Sequence, residues 1–280
     1  MRVVKTIAEM QSISRDLRIK ASVLGFVPTM GALHEGHLSL VRRARSECNT
    51  VVTSIFVNPL QFGPGEDFAK YPRTFEADCR SLEAEGVDVL FAPDAVEMYP
   101  NGSATTVAVS GIGDRLDGAS RPGHFTGVAT VVAKLFHAVW PTRAYFGQKD
   151  AAQIAVLRQM VRDLNFNVEL VSCGIVRDAD GLALSSRNKY LNAIEREHAL
   201  VLHRTLLQLQ QLIAKGERQS AHLVQAGMEA LNSQAGIRVD YLAIVDANTL
   251  LPVSSAETGT LVAVAAYVGS TRLIDNFLVA

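Results

Sequence analysis

Cysteine is scarce: Cys48, Cys79 and Cys173 are the only ones in 280 residues, odd in number and without any CxxC spacing. That excludes a disulfide framework and a cysteine-based zinc site. An excess of one charge is lacking as well. The 27 basic and 28 acidic residues leave a formal net charge of −1, so no overall field draws the chain toward nucleic acid or an anionic membrane surface. The most apolar run, 261–268, falls far short of the ~20 residues needed to span a bilayer. It is rich in Val and Ala and lies between Gly259 and Gly269, which reads as a buried strand. No segment repeats at a fixed period and none is low in complexity, so solenoids and disordered tails drop out. Residues 1–11 carry Lys5 and Glu9 among their apolar positions, unlike the unbroken apolar core of a secretory signal. A reducing cytoplasm is the expected compartment. What is present, 48% hydrophobic and 20% charged residues, suits a soluble globular chain. At roughly 100–200 residues per domain it makes one large domain or two modest ones.

Periodicity supplies the organisation. A short apolar run at 23–27 ends at Pro28, and Leu38, Leu40, Val41 and Ala44 then recur at helical spacing. The pattern repeats with a strand at 51–57, a polar-faced helix at 74–85, and a strand at 87–91 stopped by Pro93. Val128, Val131, Val132, Leu135, Phe136 and Val139 mark one face of a helix that Pro141 ends, a strand follows at 143–146, and Ile154, Leu157, Val161 and Leu164 stripe the next helix. Alternating strands and helices predict a mainly parallel sheet covered on both faces, with ligands beyond the carboxyl ends of its strands. After about residue 175 the rhythm changes to helices at 193–215 and 220–233, then strands at 239–245, 261–268 and 272–278. The expected architecture is therefore α/β: a parallel-sheet domain at 1–175 and a smaller α+β domain at 176–280.

Chemistry concentrates at the strand-to-helix junctions. The first reads Pro28-Thr29-Met30-Gly31-Ala32-Leu33-His34-Glu35-Gly36-His37. Two histidines three apart at a helix entrance face the same way and add donors to the free amides and partial positive charge of the helix N-terminus, a place suited to a phosphate chain. For a lone pair of this kind capping or surface duty is the commoner explanation, and no third ligand at a familiar spacing supports zinc. In Tyr145-Phe146-Gly147-Gln148-Lys149-Asp150 the glycine permits close approach and the lysine offers a point charge. Asp150 suits ribose hydroxyls or, taken alone, a helix cap. Gly181-Leu182-Ala183-Leu184-Ser185-Ser186-Arg187-Asn188 combines two hydroxyls with a guanidinium that could grip phosphate oxygens, or forms an ordinary turn. The long loop 58–67 reads as a pocket wall, His124 as a capping or packing residue, and the cysteines as packing residues.

Taken together these segments resemble the pantoate–β-alanine ligase family, within the nucleotidyltransferase superfamily that carries an HxGH signature. The motifs are PTMGALHEGHLSLVRRAR at 28–45, FVNPLQFGPGEDFAKYPRT at 56–74, RPGHFTGV at 121–128, FGQKD at 146–150 and GLALSSRN at 181–188. The resemblance implies a Rossmann-like nucleotidyltransferase domain with a smaller C-terminal α+β lid. It implies ATP contacts at Met30, Gly31, Ala32, Leu33, His34, Glu35, Gly36 and His37, at Gly147, Gln148, Lys149 and Asp150, and at Val176, Leu184, Ser185, Ser186 and Arg187. His37, His34, Lys149 and Arg187 would be catalytic, Gln61 and Gln153 would bind pantoate, and Gln61 would also lie near β-alanine. Ala151, Ala152 and Leu184 depart from the residues frequent at those positions.

The implied activity is an AMP-forming C–N ligase of pantothenate and coenzyme A biosynthesis. Pantoate carboxylate attacks the α-phosphorus of ATP, pyrophosphate leaves, and β-alanine displaces AMP from pantoyl adenylate. Mg²⁺ would arrive with ATP rather than in a protein-built site, and a homodimer is implied as well, with neither nucleic acid nor membrane as partner. Two other readings fit the HxGH motif: a nucleotidyltransferase acting on a phosphorylated acceptor, which would want further basic residues, and a nucleotide-binding regulatory module that releases no pyrophosphate.

Overall fold

Strands that alternate apolar side chains between two faces must be covered on both sides, and that requirement sets the layering here. The structure is a computed structural model that describes residues 1–20 and 23–280. Strands β1 (Arg2–Val4), β2 (Leu24–Thr29), β3 (Thr50–Ile55), β4 (Val89–Phe91), β5 (Arg143–Gly147) and β6 (Glu169–Cys173) form a parallel sheet in the order β1-β4-β3-β2-β5-β6. The helices that follow them are α1 (Ile7–Ile19), α2 (Glu35–Glu47), α3 (Phe75–Ala84), the short α4 (Ala95–Met98) and α5 (Asp117–Ser120), then α6 (His124–Val139) and α7 (Ala151–Asp163). Leu24, Phe26, Val52, Phe91 and Phe146 point into a core built with α1, α6 and α7. Val27, Val51, Leu90 and Tyr145 point the other way, into a core with α2 and α3.

The rest of the chain supplies α8 (Ala193–Ala214), α9 (Ser220–Asn232) and an antiparallel sheet of β7 (Ile237–Asp246), β8 (Thr260–Val268) and β9 (Thr271–Leu278). Val262, Val264, Ala266 and Val268 face α8 and α9 in their own core, whereas Leu261 and Ala263 join the core of the parallel sheet. That double burial is why 261–268 reads as unbroken apolar sequence. A bulge between Val239 and Tyr241 leaves Asp240 to accept from the Arg272 guanidinium at 2.7 Å and 2.9 Å. Arg272 also pairs with Asp117 of α5 at 2.7 Å, tying the second sheet to the first.

Five elements lie where the sequence analysis expects none: β1, α1, β6 and the four-residue helices α4 and α5, which are too short to show a period. β1 and β6 are edge strands, three and five residues long, too short or too exposed to show an apolar run. α1 buries only Met10 and Ser14 completely, so its stripe is diluted by polar residues. Pro28 does not stop β2, which continues to Thr29. Pairing with β5 ends at Phe26, while pairing with β3 persists through Thr29. A proline can stay in a strand where a ladder on one side is already broken, and here the break is where the cleft opens.

The wall of that cleft is packed without slack. A Cβ on Gly127 of α6 would lie 2.2 Å from the Leu60 carbonyl oxygen and 2.6 Å from the Gln61 amide nitrogen. Gly127→Ala should therefore destabilise the protein by about 1–3 kcal/mol, the ordinary range for overpacking, read from the midpoint of urea unfolding. An unshifted midpoint would show that the 58–61 segment is not pinned against α6.

Candidate active site

The gap between β2 and β5 is the switch point of the parallel sheet, the place where crossovers diverge and a crevice must form. A cavity of about 240 Å³ opens there, lined by His34, His37, Lys149 and Arg187 together. Four side chains from three distant segments thus share one space. A second cavity of about 650 Å³ adjoins it and shares Arg121, His124, Lys149, Asp150, Gln153 and Arg187.

The two imidazoles are set by the start of α2. His34 is its N-cap: Nδ1 accepts from the Gly36 amide at 3.2 Å, and the His34 amide donates to Nδ1 of His37 at 3.4 Å. The rings lie 4.1 Å apart. Since each Nδ1 accepts, each proton sits on Nε2, which is left as a donor. Burial, followed by the charge of Lys149, lowers the His34 pKa to about 4, and burial with the neighbouring His34 lowers His37 to about 3. Both rings are neutral at pH 7. A Cβ on Gly36 would come within 2.9 Å of the His34 ring, so a side chain at position 36 would push against that ring.

The loop before α2 turns on itself with positive φ at Gly31 and Ala32. Its amides are satisfied by a residue the sequence reading did not single out. Buried Asp78 of α3 accepts from the Ala32 and Leu33 amides at 2.9 Å each and from the Thr74 hydroxyl at 3.1 Å. Neither Gly31, Ala32 nor Leu33 lines the cavity. Glu35 is exposed and paired with Arg42 on the helix surface. The Gln148 side chain is held by Asn276 and Ser172, at 3.1 Å and 2.7 Å. Met30, Gly36 and Gly147 do reach the cavity, as do Val176 and Leu184.

Asp150 occupies the N-cap position of α7 without making a capping bond, contrary to the cap that its position alone suggests. Its Oδ1 lies 3.3 Å from Lys149 Nζ. Burial raises its pKa, but Lys149, Arg187 and His37 outweigh that and hold it below the ordinary carboxylate value. Although enclosed by the cleft, its side chain keeps 47% of its surface open to it. Ser185 and Ser186 line the cavity too. Ser185 Oγ accepts from the Arg187 amide at 3.3 Å, and Ser186 Oγ donates to the Ala32 carbonyl at 3.3 Å. Arg187 forms a two-pronged pair with Asp67, at 2.9 Å and 3.0 Å.

The opposite wall is apolar, with two amides. Val128, Val131, Val132 and Leu135 of α6 line it, so the valine stripe serves the cavity as well as the core. Gln61 and Gln153 both reach the cavity. Asn58, the first residue of the loop expected as a pocket wall, donates to Gln61 Oε1 at 3.2 Å and to the Gly127 carbonyl at 3.1 Å, and accepts from Tyr99 at 2.8 Å. His124 is the first residue of α6 rather than a cap. Its Nδ1 donates to the Gln61 carbonyl at 2.8 Å, leaving Nε2 to accept from Arg121 at 2.9 Å. Arg121 holds Glu66 at 2.6 Å. Burial, then Arg121, brings the His124 pKa down to about 4.

These features define an α/β protein with a Rossmann-like parallel sheet, a smaller antiparallel sheet, and a cleft of neutral donors beside a lysine and an arginine. A family model described as pantoate-beta-alanine ligase matches residues 2–278, and the chain belongs to that family. It is 59% identical over 278 residues to a pantothenate synthetase of Koribacter versatilis, covering 99% of this chain and 96% of that one. A pantothenate synthetase of Thermotoga neapolitana is 54% identical, with 99% of both chains covered. The crystal structure of the Thermus thermophilus enzyme superposes with a TM-score of 0.94 at 52% identity over 99% of both chains. A Francisella tularensis pantoate-beta-alanine ligase, complexed with beta-gamma ATP and beta-alanine, gives 0.82 at 35% identity over 99% of this chain and 97% of that one. The activity is accordingly that of a ligase joining pantoate and β-alanine.

Three histidines with folded pKa values of about 4, 3 and 4 against an ordinary 6.5 bind fewer protons folded than unfolded. Their contribution to stability is complete above pH 6.5 and is lost as pH falls from there toward the folded values. The lowered Asp150 acts in a separate window, below its ordinary 3.8. The melting temperature should decline from pH 6.5 to 4.5, and His124→Asn, which removes one titrating group, should decline less steeply. Parallel profiles would show that His124 is not held neutral.

Proposed function

We propose that this cleft activates pantoate with ATP and passes the acyl group to β-alanine, giving pantothenate, AMP and pyrophosphate. The observation that carries the reading is the convergence of His34, His37, Lys149 and Arg187 on one cavity whose facing wall offers apolar side chains and the amides of Gln61 and Gln153. A carboxylate is already a nucleophile at neutral pH, so adenylation needs alignment and charge stabilisation rather than a strong base. The Nε2–H donors of His34 and His37, with Lys149 and Arg187, would hold the phosphates, and α2 directs its N-terminus at them. His37 would act as the proton donor in that step. Met30, Gly147, Val176 and Leu184 would shape the nucleotide pocket, and Asp150 would accept from ribose hydroxyls.

Gln61 and Gln153 would bind pantoate oxygens, and Gln61, steadied by Asn58, would also border the β-alanine position. Among the described residues no group of three or more His, Cys, Asp or Glu side chains could hold a metal. Magnesium would come with ATP and bind mainly through its phosphates, keeping several waters. It would supply charge neutralisation on the phosphates. The segment 176–280 would act as a lid that keeps water from the adenylate, and the Ser186–Ala32 and Arg187–Asp67 contacts support that role. The same reading takes the protein as a homodimer of a reducing cytoplasm, consistent with its free cysteines.

The test is ATP–pyrophosphate exchange. Exchange should require pantoate and should not respond to phosphorylated acceptors; the reverse pattern would replace the ligase reading with that of another nucleotidyltransferase. Arg187→Ala should slow exchange by more than ~10-fold, the range seen when a transition-state charge contact is lost, with a native circular dichroism spectrum. Gln61→Ala should act mainly on the KM for pantoate, because an uncharged amide contributes binding rather than charge stabilisation. An unchanged KM for pantoate would remove Gln61 from that subsite.

A further inference from the structure

β9 carries two consecutive side chains, Asp275 and Asn276, each only 3% exposed, that grip two different segments of the cleft. Successive residues of a strand point to opposite faces. Asn276 Nδ2 donates to the Gln148 carbonyl at 3.0 Å and to the Lys149 carbonyl at 2.9 Å, while its Oδ1 accepts from Gln148 Nε2 at 3.1 Å. Ser172 closes the arrangement by donating to Gln148 Oε1 at 2.7 Å. Asp275 takes the Arg177 guanidinium on both oxygens, at 2.6 Å and 2.9 Å, and Arg177 also donates to the Gly181 carbonyl at 3.1 Å. Arg177 lies in a hairpin closed by the Arg177–Ala183 bridge and the Leu184-to-Val176 bond at 3.0 Å. That hairpin leads directly into Ser185, Ser186 and Arg187. The Asn276 amide itself donates to Asp275 Oδ1 at 2.8 Å, which fixes the two grips relative to each other.

We infer that Asp275 and Asn276 are positioning residues: together they set the separation between the turn that carries Lys149 and the segment that carries Arg187. Neither lies beside Lys149 or Arg187 in sequence, and each acts through backbone. An amide bound to two successive carbonyls orients the peptide planes on either side of the Lys149 α-carbon, so the ammonium starts from a defined place. A bidentate guanidinium–carboxylate pair does the same for the hairpin. Asp275 and Asn276 are themselves buried, and a buried polar group that loses its partner carries the desolvation penalty in full. The inference rests on the reading that Lys149 and Arg187 hold the phosphates of ATP.

Steady-state exchange kinetics on the full-length enzyme test it. Asn276→Ala should raise the KM for ATP by about 10-fold, in line with small misplacements of a catalytic group, and leave the KM for pantoate unchanged. A merely structural lesion would reduce the active fraction and move neither KM. The double variant Lys149→Ala/Asn276→Ala should be no worse than Lys149→Ala, since a positioning residue has nothing left to position. Asp275→Asn should show the same non-additivity with Arg187→Ala. Because Asn276 is buried, Gln148→Ala offers a milder route to the same turn and should raise the KM for ATP by about 3-fold. If Lys149→Ala raises the KM for ATP while Asn276→Ala and Gln148→Ala do not, or if the effects add, the positioning role is overturned and the phosphate reading stands. If Lys149→Ala leaves the KM for ATP unchanged, the phosphate reading fails and takes this inference with it.

Discussion

Everything in this site follows from the parting of two neighbouring strands. β2 and β5 pair only as far as Phe26 and Ala144, while β2 stays on β3 to Thr29 and β5 stays on β6 to Gly147. Two chains that leave a sheet in opposite directions open a crevice with backbone on both lips. One lip continues into the loop anchored by Asp78 and ends at the imidazole-capped start of α2. The other continues into the turn of Lys149 and Asp150. The α6 face that covers β2 supplies the apolar wall, so core and pocket share one helix.

Charge within the crevice is balanced locally, as it is over the whole chain. Arg121 is paired with Glu66, Arg187 with Asp67 and Lys149 with Asp150, and burial keeps the histidines neutral. Burying cations without partners would carry a large desolvation penalty. Pairing them makes the cleft foldable, and the neutral rings still offer Nε2–H donors, so donor density does not depend on net positive charge. The acidic partners Glu66 and Asp67 come from the same loop that carries Gln61. The conformation of that loop and the state of both arginines are therefore linked.

The second sheet is bound to the first by packing and by ions. Leu261 and Ala263 enter the first core, Arg272 bridges Asp240 and Asp117, and Asn276 reaches the Lys149 turn. Strand β9 is thus part of the scaffold of the cleft although its residues bear no recognisable motif. Asp78 and Asn276 share that property, and Asn58, although inside the 56–74 motif, shows its anchoring role only through its partners. Each is a single polar residue on a helix, loop or strand, with a function set by partners dozens of positions away.

Sequence periodicity was enough for the alternating architecture, because core-facing residues must recur at the period of the element that buries them. The motifs at 28–37, 146–150 and 181–188 pointed to segments that the fold gathers on one cavity, His34, His37, Lys149 and Arg187 among them, although Gly31, Ala32, Leu33, Glu35 and Gln148 do not line it. The edge strands β1 and β6, the one-sided break at Pro28 and the pairing of Asp150 with Lys149 lay beyond periodicity and motifs alike. Strand order, the protonation state of His34 and His37, and the anchoring roles of Asp78, Asn58 and Asn276 were decided by the tertiary structure. The reason is physical: hydrogen-bond partners, desolvation and ion pairs depend on which segments meet in space, and no local pattern of residues encodes that meeting.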